Sequence, residues 1–299
     1  MITVKNLTKI FGGFIALDGL NLHVERGHVY GLVGVNGSGK TTIIKHLTGI
    51  YRQDDGDALI NGKPVFDNVD IKKRIGYIPD DLYFFPSYSI DMLAKLYSNM
   101  YAAWNGARYK ELLGAFGLAG NRKLNMLSKG MQKQAMFSLI LAITPEVIIL
   151  DEPIDGLDPI VRRLVMSVIM EDVEARGMTA LISSHNLKEM EGVCDSVGIM
   201  KKGRMVIEQG LDDLKTDVHK VQLAYAEAGS REELLSKLDG VKILRQETTG
   251  SVSQMIIRGK QEDVVAKLRQ TNPLVMDILP LTLEEIFVYE TETGGEAND

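Results

Sequence analysis

A single cysteine, Cys194, stands in a chain of 299 residues. An intrachain disulfide is therefore impossible, and a cysteine-based metal site lacks its ligands. A basic surplus is missing as well. Lys and Arg number 34 against 40 Asp and Glu, a formal charge of −6, so no global field would hold nucleic-acid phosphate. The longest apolar region, Met136 to Leu150, is interrupted by Pro145-Glu146 and is too short to cross a bilayer. The opening residues, Met1-Ile2-Thr3-Val4-Lys5-Asn6, carry neither the charged region nor the apolar stretch of a signal peptide. The expectation is a cytoplasmic protein whose membrane role, if any, passes through a partner. No internal repeat is visible.

What is present is patterned. Val29-Tyr30-Gly31-Leu32-Val33 is a continuous apolar run ending in a glycine loop, as expected of a strand buried on both faces. A helix is expected over Thr41 to Leu47, short strands near 57–61 and 75–79, and helical structure from Ser89 to Leu118. Val147 to Leu150 reads as a second buried strand. A long helix follows, with Asp158 as N-cap, Pro159 at the first helical position and Gly177 past its end. Strand 178–183 leads into a helix expected from Asn186, then a hairpin-like pair around Lys202-Gly203. Strands alternating with helices indicate an α/β domain with a largely parallel sheet. Beyond residue 217 the expected order becomes β-α-β-β-α-β, with capping boxes at 230–233 and 282–285. That order suggests a small ferredoxin-like companion.

Gly34-Val35-Asn36-Gly37-Ser38-Gly39-Lys40-Thr41 satisfies the P-loop pattern and sits between a buried strand and a helix, with Thr42 next in line as a nucleotide-binding candidate. Its glycines let backbone N–H groups wrap phosphate, and the helix N-terminus adds a favourable dipole. Lys40 would reach the β- and γ-phosphates, and the Thr41 hydroxyl would bind Mg²⁺. At the C-terminal end of the second buried strand stand Asp151 and Glu152. Asp151 is placed to orient Mg²⁺ and Glu152 to act as general base on the attacking water. Leu127-Ser128-Lys129-Gly130-Met131-Gln132 then opens a helix, with Ser128 able to cap it. Taken singly, an acidic pair after a strand or a Ser-x-Gly before a helix is more often plain structure.

Together and in this order, these segments resemble the ATP-binding subunits of ABC transporters across residues 1–215. Leu127 to Gln132 is similar to that family's Leu-Ser-Gly-Gly-Gln signature, with Lys129 and Met131 as departures. The resemblance implies further roles. Phe11 would stack on adenine, Asp158 would lie in a loop crossing a dimer interface, and His185 would be the switch histidine at the γ-phosphate. It implies an ATP- and Mg²⁺-dependent ATPase, peripheral on the inner face of the membrane. Two copies, or one copy and a sister ATPase, would sandwich ATP between one chain's Lys40 loop and the other's Ser128, Lys129, Gly130 and Met131. A separate transmembrane subunit would be driven by closure and opening, with the branch that serves export as the better match.

Where the family has glutamine after the strand at 75–79, this chain has Asp80, a shorter and charged oxygen donor to the metal. Beyond it, Tyr83-Phe84-Phe85-Pro86 falls where the family docks its membrane subunit, and packing inside the helical insert accounts for those rings equally well. The expected fold is thus an ABC ATPase domain over 1–216, mostly parallel with an antiparallel β subdomain and a helical insert at about 86–143. A small α+β domain over 217–290 and a frayed acidic tail at 291–299 follow. A soluble ABC ATPase serving translation or repair is the alternative, although one P-loop, no heptad run and an acidic composition count against it. The C-terminal domain shows no acid–base pair or metal cluster, which favours a structural or regulatory role.

Overall fold

The computed structural model describes residues 1–83, 85, 87–211, 218–225, 242–279, 281–282 and 284–285. The expected helix at 231–238, the capping box at 230–233, Phe84, Pro86 and the acidic tail lie outside these residues. The chain divides into two compact units, Met1–Glu208 and Gln209–Asp299.

In the first unit, β1 (Ile2–Phe11) and β2 (Phe14–Val24) form a long antiparallel hairpin. It is extended by β4 (Asp55–Ile60) and β5 (Lys63–Pro64) in the order β2-β1-β4-β5. Alternating burial along β1 and β2 turns Val4, Leu7, Leu17, Leu20 and Leu22 into a core shared with β3 (Val29–Val33) and α1 (Lys40–Leu47). The second sheet runs β10 (Arg204–Gly210), β9 (Ser196–Lys201), β3, β8 (Thr179–Ser184), β7 (Val147–Asp151), β6 (Ile75–Ile78). Pairings β9–β3, β3–β8, β8–β7 and β7–β6 are all parallel. Every residue of β3, β7 and β8 is buried, which is why β3 and the first four residues of β7 read as unbroken apolar runs rather than alternating ones.

A short helix, α2 (Val69–Lys72), precedes β6. The expected helical stretch from Ser89 is two helices, α3 (Ile90–Met100) and α4 (Gly106–Ala115). Tyr101 turns extended and ends α3, while the Asn105 side chain accepts from Ala107 and Arg108 N–H and starts α4. α5 (Lys129–Ala142) follows, its middle almost wholly buried. α6 (Pro159–Arg176) has the punctuation read from sequence: Asp158 Oδ1 accepts from Ile160 and Val161 N–H, and Gly177 closes the helix at φ 64°. From Asn186, by contrast, only a single 3₁₀ turn forms, Leu187–Glu189, and Gly192 at φ 78° then redirects the chain. No helix among the described residues is long and apolar enough to cross a membrane.

The second unit contains β11 (Val218–Ala224), β12 (Lys242–Thr249), β13 (Val252–Arg258), α7 (Gln261–Arg269) and β14 (Val275–Leu279). The antiparallel order β12-β13-β11-β14 is that of a ferredoxin-like sheet. Val221, Leu223, Met255 and Ile257 on one face close over Val264 and Leu268 of α7. The capping box at 282–285 forms: Thr282 N–H donates to Glu285 Oε2 at 3.0 Å, and Glu285 N–H donates to Thr282 Oγ1 at 3.3 Å.

Candidate functional site

The parallel register gathers the chemistry at one sheet end. Val33 pairs with Ser184, Asp151 with Ser183, and Ile78 with Leu150. The residues just past these strands, Gly34, Glu152, His185 and Asp80, therefore emerge together at the C-terminal edge, the ligand-binding edge of open α/β sheets.

The phosphate-loop segment wraps around the N-terminus of α1. Gly39 occupies the cap position at φ 110°, with no side-chain cap, so the first N–H groups of α1 have no side-chain acceptor there. Ser38 is buried with its Oγ unpartnered, inside a loop lined by the glycines. Lys40 is folded inward, its Nζ donating to the Gly34 carbonyl oxygen at 2.7 Å and lying 3.4 Å from Glu152 Oε1. Thr41 faces solvent beside it, Thr42 is half-buried, and Val35, Asn36 and Gly37 form the exposed crest.

Asp151, buried at the tip of β7, accepts from Ser183 Oγ at 2.6 Å. Among the described residues no cation lies within ion-pair distance of it. Ser183 Oγ also accepts the Glu152 N–H at 3.0 Å, so one hydroxyl orients both acids. Glu152 itself holds a left-handed backbone, φ 46°, a strained conformation of the kind that concentrates at functional sites. Its Oε2 receives the His185 N–H at 3.2 Å and lies 3.0 Å from His185 Nδ1. The hydrogen bond to Glu152 raises the imidazole above its usual range, against partial desolvation; Glu152 and Asp155 charge add to the rise and Lys40 opposes it.

Asp80, two residues past β6, lies 3.8 Å from Lys133 Nζ through Oδ1. Desolvation lifts its carboxyl above the ordinary range, Lys133 works against this, and Asp151 with Asp81 and Asp155 reinforces it. The remaining sequence-selected residues cap helices, face solvent or lie half-buried, and a Cβ on Gly130 would meet Leu157 at 3.6 Å. Ser128 caps α5, accepting from Met131 N–H at 3.3 Å, while Lys129 faces solvent and Gly130 and Met131 are half-buried. Asp158 faces solvent at the start of α6. Phe11, 41% exposed at the end of β1, meets Tyr51 edge-on with centroids 5.4 Å apart and has Lys9 Nζ over its ring. Tyr83 is 91% exposed, and Phe85, 62% exposed, meets the Tyr88 ring with centroids 5.0 Å apart.

Residues 17–155 match the family model described as ABC transporter. The ABC transporter ATP-binding protein YtrB of Bacillus subtilis (strain 168) is 30% identical over 99% of both chains. This chain belongs to the ABC transporter ATP-binding proteins.

A solved ATP-binding subunit of an ABC transporter superposes with TM-score 0.67 and 29% identity, covering 72% of this chain and 92% of that one. A dimeric bacterial ABC transporter cassette superposes with TM-score 0.65 and 25% identity over 71% and 99% of the two chains. The chain is thus an ATP-binding, ATP-hydrolysing subunit of an ABC transporter, of a class that dimerises and works with transmembrane subunits. Its P-loop, acidic pair and His185 meet in one place, whereas Ser128 and Asp158 are exposed helix caps and Phe11 is exposed at the end of β1. Two members of this ABC ATPase's site carry no motif signal: Ser183 ends the expected strand 178–183, and Lys133 follows the signature-like segment on α5; the tie of each to the acids crosses the chain and becomes visible in the folded structure.

Proposed function

We propose that this ABC ATPase clamps ATP between two protomers, its own copy or a close sister, and hydrolyses it at Glu152. The observation that carries the reading is the meeting of Lys40, Glu152 and His185 within 3.4 Å and 3.0 Å at the mouth of the phosphate loop. The Gly34 carbonyl and the Glu152 carboxylate stand in for phosphate oxygens at Lys40, and ATP would take that ammonium over. Glu152, released from Lys40, then accepts a proton from water as its oxygen attacks the γ-phosphorus, and the bond to the bridging oxygen breaks to leave ADP. His185 is poised to follow the γ-phosphate. Phe11 is available to the adenine ring, the N–H groups of Gly34, Asn36, Gly37, Ser38, Gly39 and Thr42 to phosphate oxygens.

A buried carboxylate without a cation, next to a hydroxyl and a second acid, suits a hard divalent ion. Thr41, Asp151 and Asp80 would hold Mg²⁺, which supplies charge neutralisation on the phosphates. The outward Ser128, Lys129, Gly130 and Met131, on a capped helix N-terminus, would face the partner's nucleotide, and Asp158 the seam between protomers. Tyr83 and Phe85 offer an apolar contact to the transmembrane subunit, which would hold the protein peripherally at the inner face of the membrane. We assign residues 1–216 to the ATPase and 217–290 to a structural or regulatory domain.

Glu152→Gln tests the reading. Turnover should fall by about 10²–10⁴-fold, and sedimentation in Mg-ATP should reveal a dimer that wild type forms only transiently. Retained turnover would reject Glu152 as the base, and a variant monomeric at saturating ATP would reject the clamp.

A further inference from the structure

Lys133 lies in the interior of α5 and is buried, although it is a lysine. Its Nζ donates to the Glu152 carbonyl oxygen at 3.0 Å and to the Asp155 carbonyl oxygen at 2.9 Å, with Asp80 Oδ1 at 3.8 Å. An ammonium has three donors, and three oxygens surround this one. Two belong to the turn in which Glu152 adopts φ 46°. Rotation of that residue back to an ordinary backbone conformation would swing both its carbonyl and its carboxylate. Lys133 grips the first; His185 and Lys40 meet the second.

The partners also explain each other. Asp80 stands where the family has a neutral glutamine, and an acid there, near Asp151, Asp81 and Asp155, raises the local negative charge. A buried cation at position 133 offsets it. The same residue joins α5, whose first turn contains Gly130 and Met131, to the turn holding Glu152.

We propose that Lys133, together with Asp80, is a positioning residue for ATP hydrolysis: it fixes the turn at 152–155 so that the Glu152 carboxylate faces the reacting centre. The inference rests on the reading of Glu152 as the base. A lysine serving packing alone would, when replaced, lower stability and leave the properties of the folded site as they were.

The test uses the full chain carrying Lys133→Met or Lys133→Arg, with three readouts: kcat and KM for ATP, the Kd of a fluorescent ATP analogue, and the His185 titration followed by NMR without nucleotide, assigned through His185→Gln. Lys133→Met should lower kcat roughly ten- to hundredfold, the scale of a misplaced reacting group, with Kd held within about twofold. It should also bring the His185 midpoint down toward about 6.5, because the carboxylate leaves Nδ1. Lys133→Arg should recover most of both effects. An unchanged kcat, an unmoved His185 midpoint, or failure of Arg to rescue overturns the proposal. If the Met variant does not fold, Lys133→Gln, which keeps a donor without the charge, is judged by the same criteria. Glu152→Gln separates the two claims. Normal turnover in that variant defeats the reading of the base, whereas a dead Glu152→Gln beside a normal Lys133→Met defeats only the role of Lys133.

Discussion

A Cβ placed on Gly34 would lie 2.5 Å from Ser38 Oγ and 2.6 Å from the Met200 carbonyl oxygen, both inside the packing of the phosphate loop. Gly34→Ala must therefore push the loop off β9, and we expect a destabilisation of about 1–3 kcal/mol with ATP binding lost in calorimetry. Single residues also set a pH dependence. The hydrogen bond to Glu152 raises His185 in the folded chain, while the unfolded chain returns it to about 6.5. The stabilisation from this pair is thus complete below about pH 6.5 and is lost as pH climbs through the raised folded value. Urea midpoints of wild type should fall over that rise more than those of His185→Gln. The contiguous motifs at this scale, Gly34 to Thr41 and Asp151-Glu152, were legible because the chemistry and the spelling coincide. Lys133 and Ser183 were not, since each gains its meaning from an oxygen or N–H distant in sequence. The left-handed backbone of Glu152 was equally invisible, as glutamate carries no bias toward it.

Caps are the features that made the elements readable. Ser89 accepts from Met92 N–H at 3.2 Å, and Asp158 accepts from two N–H groups at 3.0 Å, as their positions before periodic apolar segments indicated. Ser89→Ala and Asp158→Ala should each cost about 1 kcal/mol in chemical denaturation. They should differ in assembly: only Asp158→Ala should weaken the ATP-dependent dimer in sedimentation, because Asp158 and not Ser89 is assigned to the proposed seam. The helical stretch from Ser89 is present but divided in two, and the helix expected from Asn186 does not form. The stretch from Ser89 contains Asn105-Gly106, an ordinary turn signal, and there the structure breaks it. After Asn186 the apolar spacing suits a helix, yet a cap and one 3₁₀ turn take its place, with Ser184 Oγ and Arg162 both bonded to Glu189.

Across the whole molecule, metal dependence is the simplest check: chelation by EDTA should abolish turnover, and Asp151→Asn should raise the Mg²⁺ concentration needed for half-maximal rate at least tenfold. Sheet class was legible from alternating strands and helices, whereas the change of pattern near 217 falls inside the second compact unit, which begins at Gln209. The strand order was not legible, because which strands neighbour β3 depends on segments far apart. That order has a consequence for biosynthesis. The strand bearing the phosphate loop emerges early from the ribosome, but both of its lateral partners, β8 and β9, are translated near the end of the first unit. A nascent chain halted before residue 179 has made Lys40, Asp151 and Glu152 and still lacks β8, the strand that joins β3 to β7. In a series of stalled ribosome complexes, nucleotide capture should switch on abruptly once residue 201 has cleared the exit tunnel, rather than accumulate with each motif synthesised.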